Sequence, residues 1–369
     1  MHTLDILRPF AHRVRARLET ARFGSPHGQW SMRDYAERYP DFWRPVLPAS
    51  TRTLGPARHF GAKVAIFEQL TPSPELGALK VPDGIIVGQH GWVFTSTGQY
   101  LIECAWPTRN GDPRKKPESF RRVRNLRGSC LNLASDWSNK NYAHFVFDSL
   151  GRLDLVEKAG ISLKDIDHFY CPTPDSDFTR ELIRRLGVPV ERCIWADDDL
   201  QLRADMVIAT SFPGSRFDYP RPLLDRLNRA AGKSGAGPKR LYVPRGELRN
   251  LSNRSEIEAI LREFDFVTYD CTKQAGHDAF ADAEIIVGPH GAGLSNLVFS
   301  KPGAKVLDLM PSDFILPFFH AKAEAMGREY SYILGRSEGV RPPDFFGPSP
   351  FNFWIDPGEL RSALEELLA

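Results

Sequence analysis

The sequence predicts an α/β protein of two parallel-sheet domains behind an irregular N-terminal extension. Three observations lead there. From Asn141 onward, short apolar runs alternate with amphipathic stretches of helical period, the pattern of a parallel sheet covered by helices. The glycine-rich run Gly232-Lys233-Ser234-Gly235-Ala236-Gly237-Pro238 interrupts that alternation once. A chain of 369 residues also exceeds what one ordinary core holds. The expected division is an extension over 1–56, a first domain over 57–231, a linker over 232–239, a second domain over 240–335, and a tail with a terminal helix over 336–369.

Taken in order, the elements are these. Phe23 to Pro56 is rich in Trp, Arg and Pro and reads as irregular. Gly84–Gly88, Trp92–Phe94 and Tyr100–Ile102 are short apolar runs punctuated by Gly91 and Gly98, and predict a hairpin layer. Tyr142–Ala159 predicts a helix closed at Gly160, and Asp167–Cys171 a strand ended by Pro172. Thr179–Leu186 predicts a helix, Arg192–Trp195 and Asp205–Ala209 strands, and Pro222–Ala231 a helix. Beyond the linker, strands are expected at Arg240–Pro244, Phe266–Tyr269, Ile285–Val287, Lys305–Leu309 and Tyr330–Leu334. Helices are expected at Ser255–Glu263, His277–Asp282, Pro317–Met326 and Pro357–Leu368, the last with proline at its start.

Composition excludes several function classes. The hydrophobic share is 42% and the charged share 25%, ordinary for a packed globular chain. Net charge is +2, so nothing in the bulk points to nucleic acid. The five cysteines include no C-x-x-C pair, which argues against a disulfide framework or a zinc site. No apolar run of about 18 residues and no signal-peptide core is present, and the expectation is a cytoplasmic protein. Leu7, Phe10, Val14 and Leu18 recur at helical spacing among Arg8, Arg13, Arg15 and Arg17. That helix either packs on its own domain or makes a peripheral contact with the inner face of an anionic membrane.

Three segments carry candidate chemistry. In Ile285-Ile286-Val287-Gly288-Pro289-His290-Gly291-Ala292-Gly293-Leu294-Ser295-Asn296 a buried strand runs into a small-residue loop and then a helix start. Converging N–H groups and the helix dipole there suit an anion, although the spacing is not that of a P-loop or dinucleotide fingerprint. In Arg240-Leu241-Tyr242-Val243-Pro244-Arg245 the arginine stands at a strand C-terminus, where open α/β sheets bind ligands and where a guanidinium can grip phosphate oxygens. Arg249 and Arg254, further on, read as ordinary surface arginines. In Asn141 to Leu153, His144, Asp148 and Arg152 are spaced i, i+4, i+8 on one helix face. They form either a base with its orienting partner or an Asp148–Arg152 pair with His144 as a bystander.

Together the three segments resemble glycosyltransferase family 61. The resemblance rests on N-x-x-H-x-x-x-D-x-x-x-R-L at Asn141 to Leu153, on the strand ending in Arg245 with further Arg and Asn to Glu256, and on G-P-H-G-A-G-L-x-N at Gly288 to Asn296 followed by Pro302-Gly303-Ala304. The helix Phe318 to Met326 and Tyr330 fit the family's later segment. Residues 1–80 and Phe345 to Phe353 match nothing in it. Thr272 to Asp278 also departs from it, so His277 is given no role.

The resemblance implies a GT-B fold, two Rossmann-like domains facing a cleft, and sugar transfer with inversion from a nucleotide-sugar donor to a glycan or glycolipid. Capsule or lipopolysaccharide synthesis would be the setting. Asp148 is expected as the base with His144 beside it. Arg245, Asn253, His290, Gly291, Ala292, Gly293, Leu294 and Asn296 are expected to bind the donor, with no cofactor and no metal. Asp197-Asp198-Asp199 after a strand offers a competing metal reading. The alternative function is a catalytically inactive nucleotide- or sugar-binding subunit of a polysaccharide assembly.

Overall fold

The computed structural model describes residues 26–64, 70, 72–106, 119–174, 176–215, 217–232, 235, 237–246, 248–342 and 347–369. The chain divides into two compact units. One is Met1–Ser50 with Pro74–Arg216, the other Thr51–Ser73 with Phe217–Ala369. The amphipathic stretch expected over residues 1–22 lies outside the described residues.

The first unit is a mixed ten-stranded sheet. Its chain opens with β1 (Gln29–Trp30), α1 (Met32–Arg38) and β2 (Trp43–Leu47); β3 (Arg58–Phe60) then belongs to the second unit. There follow β4 (Leu76–Pro82), β5 (Ile85–Val87), β6 (Trp92–Phe94), β7 (Tyr100–Leu101) and β8 (Val123–Asn132). A helical stretch comes next: α2 (Tyr142–His144), a π-helical segment (Phe145–Leu150) and α3 (Arg152–Lys158). β9 (His168–Cys171), α4 (Asp177–Arg185), β10 (Cys193–Trp195) and β11 (Gln201–Thr210) complete it.

The strand order is β1-β7-β6-β5-β11-β8-β9-β10, with β4 paired to β11 and to β2. The half β11-β8-β9-β10 is parallel, and β4 and β5 join β11 antiparallel. The register of β8 on β11 shifts between Ala204 and Met206. Gly128 accommodates that bulge with φ 84°, and a Cβ there would meet the Asp167 carboxylate.

The stretch expected to be an irregular extension is therefore partly regular. Ser31 caps α1 in a reciprocal box with Asp34, β1 pairs with β7, and β2 pairs with β4. Met32 and Tyr35 enter the unit's main apolar cluster, with Trp30, Phe42 and Trp43 packed against it. The aromatic content that made this segment look irregular is what anchors it.

The second unit carries a seven-stranded sheet. Its elements are α5 (Arg221–Asn228), β12 (Arg240–Tyr242), α6 (Arg254–Glu263), β13 (Val267–Thr268), α7 (Gly276–Ala279), β14 (Ile285–Pro289), a 3-10 helix (Ala292–Phe299), β15 (Lys305–Pro311), α8 (Phe318–Ala325), β16 (Glu329–Ser337), β17 (Phe353–Trp354) and α9 (Pro357–Leu368). The order is β13-β12-β14-β15-β16-β17, with β3 beside β16. Every pairing from β13 to β16 is parallel.

The boundary between units falls at Arg216/Phe217, ahead of the glycine-rich run. There is a physical reason. Leu223, Leu224 and Leu227 of α5 are fully buried, and the Asn228 amide donates to the Val298 and Ser300 carbonyls of the second unit. The described glycines of that run are tied down: Gly232 N–H donates to His277 O, and Gly235 and Gly237 N–H donate to the Asp282 carboxylate. The expected tail is likewise structural, since Phe353, Ile355, Leu360, Ala363, Leu364 and Leu367 belong to the second unit's core cluster.

Candidate active site

In the second unit the chain lays down β12, sets β13 on one side, then returns to set β14 on the other. The gap between the loops after β12 and β14 is thus the topological switch point, where parallel sheets open a crevice at their strand C-termini. The loop after β12 supplies Arg245 and Arg249; the loop after β14 supplies His290 to Gly293.

Arg245 is half-buried, and burial lowers its pKa. Its Nε donates to the Leu248 carbonyl and its Nη1 to the His290 carbonyl (3.3 Å). The guanidinium lies directly on Gly291, where an added Cβ would collide with Nη1. A side chain at 291 would push the Arg245 guanidinium out of this position. The next residues, Ala292 and Gly293, begin a 3-10 helix whose first N–H groups have no intrahelical acceptor.

Arg249 is buried, not a surface residue as its sequence context suggested. It is 9% exposed, its backbone is left-handed (φ 54°), and its guanidinium sits 4.8 Å over the Phe314 ring. Its Nε has no hydrogen-bond partner among the described residues. Burial and then the charge of Arg245 push its pKa down to about 9, against the opposing pull of Asp313 and Asp308. A buried cation with an open donor is costly until an anion arrives. Arg341 also lies over Phe314, at 5.4 Å. Asp313 is held by the Ser337 and Ser349 hydroxyls, both at 2.5 Å.

His290 points inward. Its Nδ1 lies 2.8 Å from Asp308 Oδ2, which also accepts from the Tyr330 hydroxyl at 2.9 Å. The ring packs against Phe319 and Phe314, and His290 and Asp308 side chains are 4% and 0% exposed. His290 therefore shapes the loop from below and meets Arg245 through its backbone carbonyl.

The remaining sequence candidates in this unit make contacts within the fold. Leu294 is core. Asn296 is buried, its amide donating to Gly293 O and its Oδ1 pressed where a Cβ on Gly276 would sit. Asn253 spends its amide on Ile355: Nδ2 donates to that carbonyl at 2.8 Å, and Oδ1 accepts its N–H at 3.3 Å. Both asparagines thus brace the fold with their side-chain amides. Arg254 makes an i,i+4 pair with Glu258, as expected of a surface arginine.

The first unit has its own switch point. β8 is laid down first in the parallel half, β9 and β10 go to one side, and β11 to the other. At the C-terminal end of β8 the helix bearing His144 begins, capped by the Asn141 side chain. Here the carboxylate of Asp148 meets His144, Oδ2 to Nδ1 at 2.6 Å. Asp148 is 1% exposed and His144 21%. Their i,i+4 geometry spans the start of the π-helical segment, a helix form found often at functional sites. Fully buried Arg152 donates from Nε to Asp148 O, from Nη2 to Cys104 O and from Nη1 to Thr210 Oγ1, which fixes the helix to the end of β11. The Trp106 ring stands edge-on to His144 at 4.7 Å and to Phe212 at 5.1 Å.

Asp197, Asp198 and Asp199 are exposed in the turn between β10 and β11, with Asp197 accepting the Asp199 N–H. No group of three or more His, Cys, Asp or Glu placed to hold a metal ion occurs among the described residues. His277 is buried against Phe299. No helix among the described residues is long and apolar enough to cross a membrane.

Sequence reasoning missed Arg249, Phe314 and Asp308. Asp308 did leave a signal, since it is the one acid in the apolar strand Val306–Met310, and buried acids are rarely left unpaired. Arg249 left none, because a left-handed arginine turned inward looks in sequence like any loop arginine.

Comparison with known proteins bears on these two clusters. Residues 142–307 match the model of the family Glycosyltransferase 61. The matched span begins at the helix of His144 and Asp148, includes Arg245, Arg249 and the 288–296 loop, and ends within β15. A β-1,2-xylosyltransferase of Oryza sativa subsp. japonica is 29% identical over 123 residues, covering 31% of this chain and 22% of that protein. The chain thus spans about a fifth of the length of that relative.

Proposed function

We propose, from the match of residues 142–307 to the Glycosyltransferase 61 model, that the chain transfers a sugar from a nucleotide-sugar donor to a hydroxyl of a glycan or glycolipid, with inversion and without a metal. The observation that carries this reading is Arg249: a buried guanidinium with an unpartnered Nε, beside Arg245, at the switch point of a parallel sheet. Two neighbouring arginines with open donors suit a diphosphate, which bears charge on several oxygens. They also act where charge grows during reaction, on the leaving nucleoside diphosphate. The 3-10 helix N-terminus at Ala292 adds N–H groups to the same task.

In the first unit the His144–Asp148 pair is the candidate base. Asp148 was expected to take the proton, but its burial and its bond to His144 Nδ1 favour the reverse division of labour. Asp148 holds Nδ1 protonated, which leaves Nε2 of the more exposed His144 as the proton acceptor. In the proposed step the acceptor hydroxyl gives its proton to Nε2 while its oxygen forms a bond to the anomeric carbon. The bond from that carbon to the diphosphate oxygen breaks, and the electron pair leaves with the nucleotide. Asp148 then faces an imidazolium that it stabilises. Synthesis of a surface polysaccharide is the setting we attach to this chemistry.

The test is a thermal-shift screen of the full chain against UDP, GDP, CMP and their sugars, with and without EDTA. A ligand bound only by the folded state stabilises by about 2.7 kcal/mol at a hundredfold excess over Kd. The proposal requires a shift with one nucleotide series, lost in Arg245→Ala and indifferent to EDTA. A flat response to every nucleotide removes it; a shift that EDTA abolishes removes its metal-free form.

A further inference from the structure

At the end of β8 lies a second group of side chains that the transfer chemistry leaves unused. Asp136 is 1% exposed and gathers three neighbours. Its Oδ2 accepts the Trp106 N–H at 3.0 Å, its Oδ1 accepts Trp92 Nε1–H at 3.4 Å, and Oδ1 lies 3.2 Å from His90 Nδ1. The His90 ring stacks on Trp92, interplanar angle 15°, with its side chain 36% exposed. His90 Nδ1 makes no hydrogen bond among the described residues, and it is the stack on Trp92, whose Nε1–H Asp136 accepts, that holds the half-exposed imidazole. Trp106 links the two pairs, since its backbone binds Asp136 and its ring abuts His144.

The residue after Asp136 is Trp137. It is 49% exposed, and it is the one tryptophan among the exposed large hydrophobic residues described. Its backbone is left-handed at φ 67°, a conformation that side-chain-bearing residues avoid. Glycine or asparagine would occupy that position without penalty. The turn around it is firmly held. Lys140 and Asn141 N–H both donate to Trp137 O at 2.9 Å, and Ser138 Oγ donates to Ser135 O while accepting the Ser135 N–H. An exposed indole on a strained turn whose backbone is already anchored suits a ligand platform, because the turn itself needs no ordering on binding.

We propose that Trp137 and His90 form a carbohydrate-acceptor subsite. A pyranose ring lies with its C–H face on the exposed indole, whose negative π face attracts those hydrogens. The His90 imidazole, held by its stack on Trp92, hydrogen-bonds a ring hydroxyl. The subsite rests on the glycosyltransferase reading in taking the bound sugar to be the acceptor, and it adds what that reading lacks, the residues that recognise it.

The experiment titrates xylotriose, mannotriose and cellotriose into the full chain, followed by saturation-transfer NMR and by tryptophan fluorescence. UDP and GDP binding are measured on the same samples. The wild type binds at least one trisaccharide. Trp137→Ala and His90→Ala each weaken it about tenfold, and Trp137→Phe, which keeps a ring, stays within about threefold. Trp137→Gly loses binding as Trp137→Ala does while its Tm does not fall, because glycine accepts the left-handed backbone. Nucleotide binding is unchanged in all four variants.

Failure of every trisaccharide to bind the wild type, or binding indifferent to Trp137→Ala, overturns the subsite. Loss of nucleotide binding in the wild type with Trp137-dependent trisaccharide binding retained supports the subsite and instead overturns the donor assignment. The two readings therefore fail separately.

Discussion

Each unit places an Asp–His pair near the C-terminal ends of its parallel strands, and the two pairs have nearly the same geometry. In the first unit His144 Nδ1 meets Asp148 at 2.6 Å; in the second His290 Nδ1 meets Asp308 at 2.8 Å. What separates them is exposure. The His144 side chain is 21% exposed, whereas that of His290 is 4% exposed and walled in by Phe319 and Phe314. A second bond to the same carboxylate oxygen, from the Tyr330 hydroxyl, holds Asp308 in the core. The same two side chains can thus be a proton-handling device or a brace, and the motif that contains them does not say which. Solvent access decides it.

That contrast can be broken by experiment, and the largest effect is expected at His144. His144→Ala should lower kcat about a thousandfold with nucleotide affinity unchanged. Steady-state rates with a titration of the nucleotide check it, and a kcat within a few-fold of wild type would remove His144 as the base. In the second unit the analogous change should strike folding instead. Asp308→Ala leaves His290 and Tyr330 without their shared acceptor in the core and should cost about 3 kcal/mol by denaturant unfolding. A cost under about 1 kcal/mol would mean that the His290–Asp308 pair is not a brace.

Arg249 sharpens the comparison from another side. Arg249→Met removes a buried charge that burial and Arg245 already disfavour. It should weaken nucleoside diphosphate binding about thirtyfold without lowering Tm, since hydrogen bonds to charged groups are worth roughly 1.5–3 kcal/mol. Equal losses of affinity and stability would instead make Arg249 a structural residue. The smallest effect belongs to Asn253→Ala, which should cost about 1 kcal/mol of stability through its lost bonds to Ile355 and leave nucleotide affinity alone. A tenfold loss of affinity there would return Asn253 to the donor site.

The alternation of strands and helices, and most elements after Asn141, were legible because apolar periodicity is a local signal. β8 was not, since Arg124 and Arg127 interrupt its apolar run and face outward. Nor was the start of β11, where Arg203 and Asp205 do the same. The site was half legible. Arg245 and the 290–293 loop meet as their strand ends suggested, because switch-point geometry follows from strand order. Arg249 turning inward, Asn253 serving Ile355, and Asn296 packing on Gly276 depend on contacts with residues far away in the chain, which no local pattern encodes. The difference in burial between His144 and Asp148, on which their proposed roles rest, was hidden for the same reason: spacing puts both on one face.

The most direct test of transfer needs no knowledge of the acceptor. The nucleotide-sugar that shifts Tm is incubated with the chain in water, and the released sugar is followed by proton NMR before it mutarotates. The account predicts slow turnover, dependent on His144, whose first product has the anomeric configuration opposite to that of the donor. Release with retained configuration, or a bound donor that never turns over, would contradict it.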